Sequence, residues 1–533
     1  MTARRLAALV TVALTLCATG AFAEPQHRAR LSRDLSAQLT TPTLATLDVI
    51  VEGDQAAIQT LAARYGASVK RQLKHGGVLR VPSGALDALS QDPDVSHLSG
   101  DILVRPSMAV TAVSTGALLA SAGFDGVPRV TGRGIGIAVI DTGISKHKAI
   151  RDRIVATVNF TGTGSGDDRY GHGTHVAGII AAADSEGNHV SADYRGIAPG
   201  AWLVNLKALG DDGSGRTSDV IAAVDWAVDN RDAYRIRVIN LSLGHPVMES
   251  YADDPLCQAV ERAARAGIVV VAAAGNFGKT ADGQKVVGGI ESPGNSPYAI
   301  TVGALNTHGT PQRSDDEVTT YSSWGPTAYD QGFKPDVVAP GNKIVSAEAE
   351  GSSLPNEFGL HVEGQGDDAY MTLSGTSMSA GVVSGGVALM LEANPQLKPA
   401  EVKLALQLTS TFVPSAGLLG GGAGSVNFAT AVALATGDLT ALEPMTIAGE
   451  TVTPSELAFW SVNLDVDRII WTDRIIWTDR IIWTDRIIWT DRIIWTDRII
   501  WTDRIIWTDR IIWTDRIIWT DRIIWTDGTV YGD

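Results

Sequence analysis

Ile135-Gly136-Ile137-Ala138-Val139-Ile140-Asp141 is an almost unbroken apolar run that closes on a carboxylate. A strand with one solvated face would alternate apolar and polar residues, so a continuous run marks a parallel strand covered on both faces. Residues 203–208, 238–242, 268–274, 300–304 and 336–339 repeat the pattern. Between them residues 172–183, 218–229 and 255–266 read as helices, with a further long one after Ser377. The alternation predicts an α/β fold built on a doubly wound, mostly parallel sheet. In such sheets, sites gather beyond the carboxyl ends of the strands and at the helix starts that follow.

Three polar residues stand at such places. Asp141 ends its strand before Thr142-Gly143. His172 lies in Gly171-His172-Gly173-Thr174-His175-Val176-Ala177-Gly178, a glycine-flanked turn that opens an apolar helix. Ser377 lies in Ser374-Gly375-Thr376-Ser377-Met378-Ser379-Ala380, where a small-residue loop runs into the apolar stretch from Val382 to Leu391. Free amide N–H groups and the positive end of the helix dipole favour negative charge at that point. A serine at a helix start is also an ordinary N-cap, so Ser377 alone decides nothing. The chemistry of a hydroxyl nucleophile needs an imidazole to carry its proton and a carboxylate to fix the imidazole's tautomer. Asn276, after Ala274-Gly275 at another strand end, is placed to donate its amide to an oxyanion.

Val139-Ile140-Asp141-Thr142-Gly143, His172-Gly173-Thr174-His175-Val176-Ala177-Gly178 and Gly375-Thr376-Ser377-Met378 resemble the three signature motifs of subtilisin-like serine proteases, in that family's order. Three motifs in order are far more specific than any one. The resemblance covers roughly residues 125–435. It implies Asp141, His172 and Ser377 as a catalytic triad, with Asn276 as the oxyanion donor beside the Ser377 N–H. Gly213-Ser214-Gly215 and Ser242-Leu243-Gly244 look like the edge segments between which the family holds an extended peptide as an added strand. Ala274 and Gly275 complete the substrate-facing backbone. Glu291 aligns with the base of the pocket for the residue before the scissile bond; pointing inward it would favour Lys or Arg, pointing outward it is a surface carboxylate.

Arg4-Arg5, an apolar run to about Thr19 and Ala21-Phe22-Ala23 form a secretory signal over residues 1–23, predicting export to the periplasm or the extracellular medium. The apolar run is short for a membrane span, and no other is expected. Residues 46–105 read as βαββαβ, a small ferredoxin-like α+β unit behind a polar lead-in. Such a unit resembles the family's propeptide, which implies that residues 24–107 assist folding and inhibit the protease of residues 108–435 until removed. Net charge is -16. Residues 1–23 carry +2 and residues 24–107 balance, leaving -18 on the rest, which argues against nucleic acid as a partner. Protein or peptide substrates are the expected partners. Cys17 falls in the leader, so Cys257 has no disulfide partner within the mature chain.

The resemblance calls for no catalytic cofactor. Asp184, Glu186, Asn188 and Asp193 could bind a structural Ca²⁺, although a solvated polar loop is the simpler reading. His175, three residues after His172, lacks a third ligand for zinc, and no metal is expected. Gly381-Val382 stands where the family usually has Pro-His, which touches efficiency but removes no catalytic group. Residues 436–467 read as a linker. Arg-Ile-Ile-Trp-Thr-Asp then repeats ten times over residues 468–527, before the terminal residues 528–533. This β-prone tail is too long for one strand and is expected to fold back or coil, and to self-associate or bind a surface. Three functions follow: a secreted serine endopeptidase made as an inhibited precursor, an inactive protease-like adhesion protein acting through its repeats, or a transferase favouring peptide-bond exchange.

Overall fold

The computed structural model describes residues 27–40, 45–73, 76–100, 107–124, 126–162, 164–184 and 190–460, with short strand segments between 477 and 518. The expected leader lies outside them. The chain divides into two compact units, Met1–Val104 and Arg105–Asp533.

The first unit is a five-stranded sheet of β1 (Arg30–Leu31), β2 (Thr46–Glu52), β3 (Ser68–Leu73), β4 (Gly76–Pro82) and β5 (His97–Gly100), in the order β1-β5-β2-β4-β3. Alternation along β2 turns Leu47, Val49 and Val51 into a core with Leu79, Val81, Ile58 and Leu61. Asp54 starts the helix Gln55–Arg64 by accepting the Ala57 N–H at 2.8 Å. The stretch expected as a polar lead-in is part of this unit: β1 pairs in parallel with β5, and the helix Arg33–Thr40 follows it. Ala29 and Leu35 are buried in the same core. Two isolated apolar positions make too weak a period to announce an element.

The second unit is an eight-stranded sheet of β6 (Gly136–Asp141), β7 (Ile154–Asn159), β8 (Trp202–Lys207), β9 (Ile236–Leu241), β10 (Val269–Ala273), β11 (Ala299–Asn306), β12 (Glu317–Val318) and β13 (Val337–Pro340). The order is β12-β11-β10-β9-β6-β8-β7, with β13 also on β11, and only β12 runs antiparallel. All six residues of β6 are buried. From β6 the chain runs out to β7, returns to β8, then crosses β6 to β9 and β10. The winding reverses beside β6, so a crevice opens at the end that Asp141 occupies. Helices Thr217–Asp229 and Pro255–Arg265 cover one face, helices His172–Ala181 and Thr376–Ala393 the other.

Among the described residues, Thr376–Ala393 is the one helix long and apolar enough to cross a membrane, and its apolar window is 89% buried within the fold. A Cβ on Gly381 would lie 3.3 Å from Ile179 and 3.5 Å from Val176, so this glycine lets the His172 and Ser377 helices approach closely.

Three features depart from the expectation. Strand β7 joins the sheet edge, its half-exposed Thr and Asn hiding it from an apolar search. The antiparallel β12 is two residues long. The stretch read as a linker is folded to residue 460: Met445–Ile447 and Glu450–Val452 pair as a hairpin, and Ile447, Val452, Ala458 and Phe459 are buried. Arg313 anchors this region, donating to the carbonyls of Ser114, Val426 and Ser425, while Glu450 accepts the Arg313 N–H at 2.7 Å. In the tail, Arg486 pairs in parallel register with Arg504, Arg492 with Arg510, and Arg498 with Arg516. Each offset is three hexads, the register of a coil with three strands per turn.

Candidate active site

Asp141 is fully buried at the end of β6. Its Oδ1 accepts the Thr142 N–H at 2.7 Å and faces His172 Nδ1 at 2.7 Å, while Oδ2 has no partner among the described residues. A carboxylate at Nδ1 selects the tautomer protonated there, which leaves the Nε2 lone pair to act as a base. Burial by itself opposes charging His172, but the charge and hydrogen bond of Asp141, with Asp168 behind, outweigh it and raise the imidazole's pKa. Gly171 makes the approach possible. Its φ is +110°, and a Cβ there would lie 2.8 Å from the Ser352 hydroxyl.

Ser377 sits in the first turn of the Thr376–Ala393 helix, half-buried, where its N–H has no intrahelical acceptor. Its hydroxyl donates to the Ser242 carbonyl at 3.2 Å, and the Ser242 hydroxyl donates to the Ser377 carbonyl at 2.8 Å. None of the described hydrogen bonds joins Ser377 to His172. His172 lines a cavity of about 380 Å³ with Gly213, Ser214, Gly215, Leu243, Gly244 and Ser242, the residue that holds the Ser377 hydroxyl. Asn276 stands beside the serine. Its Oδ1 accepts from the Thr376 N–H at 3.0 Å and the Thr376 hydroxyl at 3.2 Å. A backbone donor facing Oδ1 fixes the amide's orientation and leaves Nδ2 as the donor on the other side.

The flanking backbone is arranged by hydrogen bonds. Gly210 N–H donates to the Ser214 carbonyl at 2.6 Å, shaping the 213–215 edge. Gly275 N–H donates to the Thr376 hydroxyl at 3.2 Å, and Glu291 N–H to the Ala274 carbonyl at 3.1 Å. Glu291 points inward: Cβ atoms built on Gly275 and Gly244 would fall 2.6 and 3.3 Å from its Oε2. Burial pushes its carboxyl up to about 7.

His175 faces the Ile344 and Met371 carbonyls from Nε2, at 3.1 and 3.2 Å, and burial pushes its pKa down to about 3. It is a neutral packing residue, and no cluster of three potential metal ligands occurs among the described residues. Asp184 spends its oxygens on the Val190 N–H and on Arg195, at 2.8 and 2.7 Å. Glu186 and Asn188 lie outside the described residues. Cys257 is buried and free. Sequence reasoning missed Asp168, a buried carboxylate joined to Thr142 at 2.8 Å. Its setting, Asp167-Asp168-Arg169-Tyr170-Gly171, reads as a surface turn.

A buried carboxylate on an imidazole, and a serine at a helix start next to an oriented amide, are the groups that a serine hydrolase uses, here on a doubly wound sheet. The subtilase family profile matches residues 132–432. Serine protease AprX of Bacillus subtilis is 41% identical over 282 residues, 51% of this chain but only 60% of the relative. Subtilisin Savinase of Lederbergia lenta is 33% identical over 301 residues, 56% of this chain and 92% of the relative. Among solved structures, sphericase is 30% identical, covering 58% of this chain and 97% of its own, with a TM-score of 0.46. The chain belongs to the subtilase family of serine-type endopeptidases.

Proposed function

We propose that the protein is an exported endopeptidase that cuts proteins through an acyl-enzyme on Ser377 and is made as a precursor inhibited by residues 24–107. The observation that carries the catalytic reading is the 2.7 Å contact between Asp141 and His172 Nδ1, which commits Nε2 to accept a proton. This reading requires the Ser377 hydroxyl to turn from the Ser242 carbonyl toward that nitrogen; in enzymes without substrate such contacts are commonly long. Attack forms a bond from Oγ to the peptide carbonyl carbon as the hydroxyl proton passes to His172. The oxyanion falls to Asn276 Nδ2 and the Ser377 N–H, and each such donor contributes about 2.7–4 kcal/mol to the transition state. His172 then returns its proton to the leaving amine, and water repeats the sequence to release the acid.

An extended peptide adds as a strand between residues 213–215 and 242–244, the two edges that line the cavity. No step needs a metal. At the loop read as a candidate calcium site, Asp184 accepts from the Val190 N–H and Arg195, and Glu186 and Asn188 lie outside the described residues. The small sheet unit of residues 27–100 supports the precursor reading, since a slow-folding parallel sheet benefits from a folding aid. The repeat tail serves self-association or retention at a surface.

A fluorophosphonate probe tests the nucleophile. The secreted protein should be labelled and Ser377→Ala should not; absence of labelling in both returns the protein to an adhesion role. N-terminal sequencing of the same pair tests self-processing, because only the unsubstituted chain should lose the segment before about residue 108.

A further inference from the structure

Glu291 lies where a carboxylate is costly. Its backbone N–H is fixed to Ala274, and the following Ser292 exchanges hydrogen bonds with His245 at 2.9 and 3.0 Å. These bonds pin the residue between the Ser242–His245 segment and the Ala274–Asn276 segment. The carboxyl rests over two glycines, Gly244 and Gly275, where a Cβ would meet its side chain at 3.0 and 2.6 Å. Among the described interactions it takes no hydrogen bond and no ion pair. A partly buried, unpaired anion raises the energy of the empty site, and a cation delivered there relieves that cost.

The cation's source follows from the geometry of attack. A carbonyl carbon held at Ser377, with its oxygen toward Asn276, directs the side chain of the same residue between the two segments that flank Asn276 and Ser242. The Glu291 side chain packs on Gly244 and Gly275, the glycines of those two segments. We propose that Glu291 makes the enzyme select a cationic side chain, Lys or Arg, at the residue preceding the bond it cuts; the inference rests on Ser377 being the nucleophile.

The selection depends on pH. Burial pushes the Glu291 carboxyl up to about 7, and His245, when protonated, pulls it back. No titratable side chain occurs in Ala274–Asn276 or in residues 292–295, so His245 is the charge that faces Glu291 from its neighbouring segments. Above that pH the site carries an anion and takes a cation. Below it, the neutral acid accepts an uncharged side chain equally well.

The test uses the self-processed enzyme and quenched peptides that differ only at that residue: Lys, Gln or Glu. At about pH 8.5 the kcat/KM ratio of Lys to Gln should be about 10 or more, falling toward unity at about pH 6. In Glu291→Gln the ratio should stay near unity at both pH values, and the Glu peptide should gain. A pH effect on His172 acts on every peptide alike and cancels in the ratio. Glu291→Asp keeps the charge and should retain part of the preference, so it remains a readout if the Gln variant folds poorly. An enzyme that is labelled by fluorophosphonate but shows a Lys-to-Gln ratio of one or less, or a ratio unmoved by Glu291→Gln, overturns the inference. An enzyme neither labelled nor active overturns the nucleophile assignment instead, and the inference falls with it.

Discussion

The Thr142 hydroxyl donates a hydrogen bond to Asp168 at 2.8 Å, and both side chains are shut away from solvent. Thr142 also follows Asp141 in the chain, and its hydroxyl oxygen accepts the Gly173 N–H at 2.9 Å. Asp168 accepts further from the N–H groups of Gly171, Thr174 and Tyr170, at 2.7, 2.8 and 3.2 Å. One carboxylate therefore fixes the turn after Asp141 and the first turn of the His172 helix together. Asp168 is a positioning residue that acts through its neighbours.

Replacing Asp168 by Asn puts an amide NH2 among N–H donors, so one of its contacts becomes repulsive. Small misplacements of a base cost about 10²-fold, and kcat of Asp168→Asn should fall by that order with KM little changed. The acid limb of the pH–rate profile should also move to lower pH, because a negative charge behind His172 is gone. Unfolding of the same substitution in a Ser377→Ala background separates this from simple destabilisation. A change confined to KM contradicts the positioning role.

Asp168 also marks where sequence reading stops. Strand β6 and its parallel neighbours were legible because burial on both faces forces continuous apolar runs, and the His172 and Ser377 helices because glycine turns precede apolar stretches. Asp168 was not, because its partner Thr142 is 26 residues away and a buried acid has the same letter as a solvated one. The hairpin Met445–Val452 escaped for the same reason: Arg313 and Ser314, far back in the chain, are the partners of Glu450. The sequence left two readings of Glu291 open because the contacts of its side chain, with Gly244 and Gly275, are made to segments 47 and 16 residues away.

His172 should set an acid limb for hydrolysis above the ordinary imidazole value of about 6.5. The fold raises its pKa, so the neutral base needed for attack is lost at a higher pH than in a free imidazole. Stability carries the opposite sign. A raised folded-state pKa adds stability that is fully present below about 6.5 and lost as pH rises through the folded value. Asp141→Asn removes the largest favourable influence and should lower the limb's midpoint. Titrating the His172 ring by NMR in Ser377→Ala checks the value directly; a midpoint at or below 6.5 refutes the assignment.

Asp336 lies between two buried ammonium groups, Lys334 on Oδ2 and Lys403 on Oδ1, each at 2.8 Å. The two lysines also hold the carbonyls of Pro297 and Ala299 at 3.0–3.2 Å, just beyond the turn that carries Glu291. Asp336→Asn leaves two cations facing each other without solvent and should cost about 3–5 kcal/mol. Lys403→Met leaves a neutral pair and one unpaired carbonyl contact, which should cost about 1–3 kcal/mol. Urea unfolding of both in a Ser377→Ala background gives the order, and a larger loss for Lys403→Met would contradict this arrangement.

The repeat tail makes a sharper geometric statement than its composition does. Ile487 pairs in register with Ile505, and Ile493 with Ile511, so backbone neighbours are three hexads apart. Adjacent strands run about 4.8 Å apart, inside the Cα separation that a disulfide spans. Ile487→Cys with Ile505→Cys should therefore cross-link within one chain on mild oxidation, and Cys257, being buried, should not compete. Ile487→Cys with Ile499→Cys, two hexads apart, should stay reduced under the same conditions. Mass spectrometry of dilute protein distinguishes the intrachain product from dimers. Equal cross-linking of both pairs would mean that the hexads have no fixed register, and dimers alone would mean that strands pair between chains.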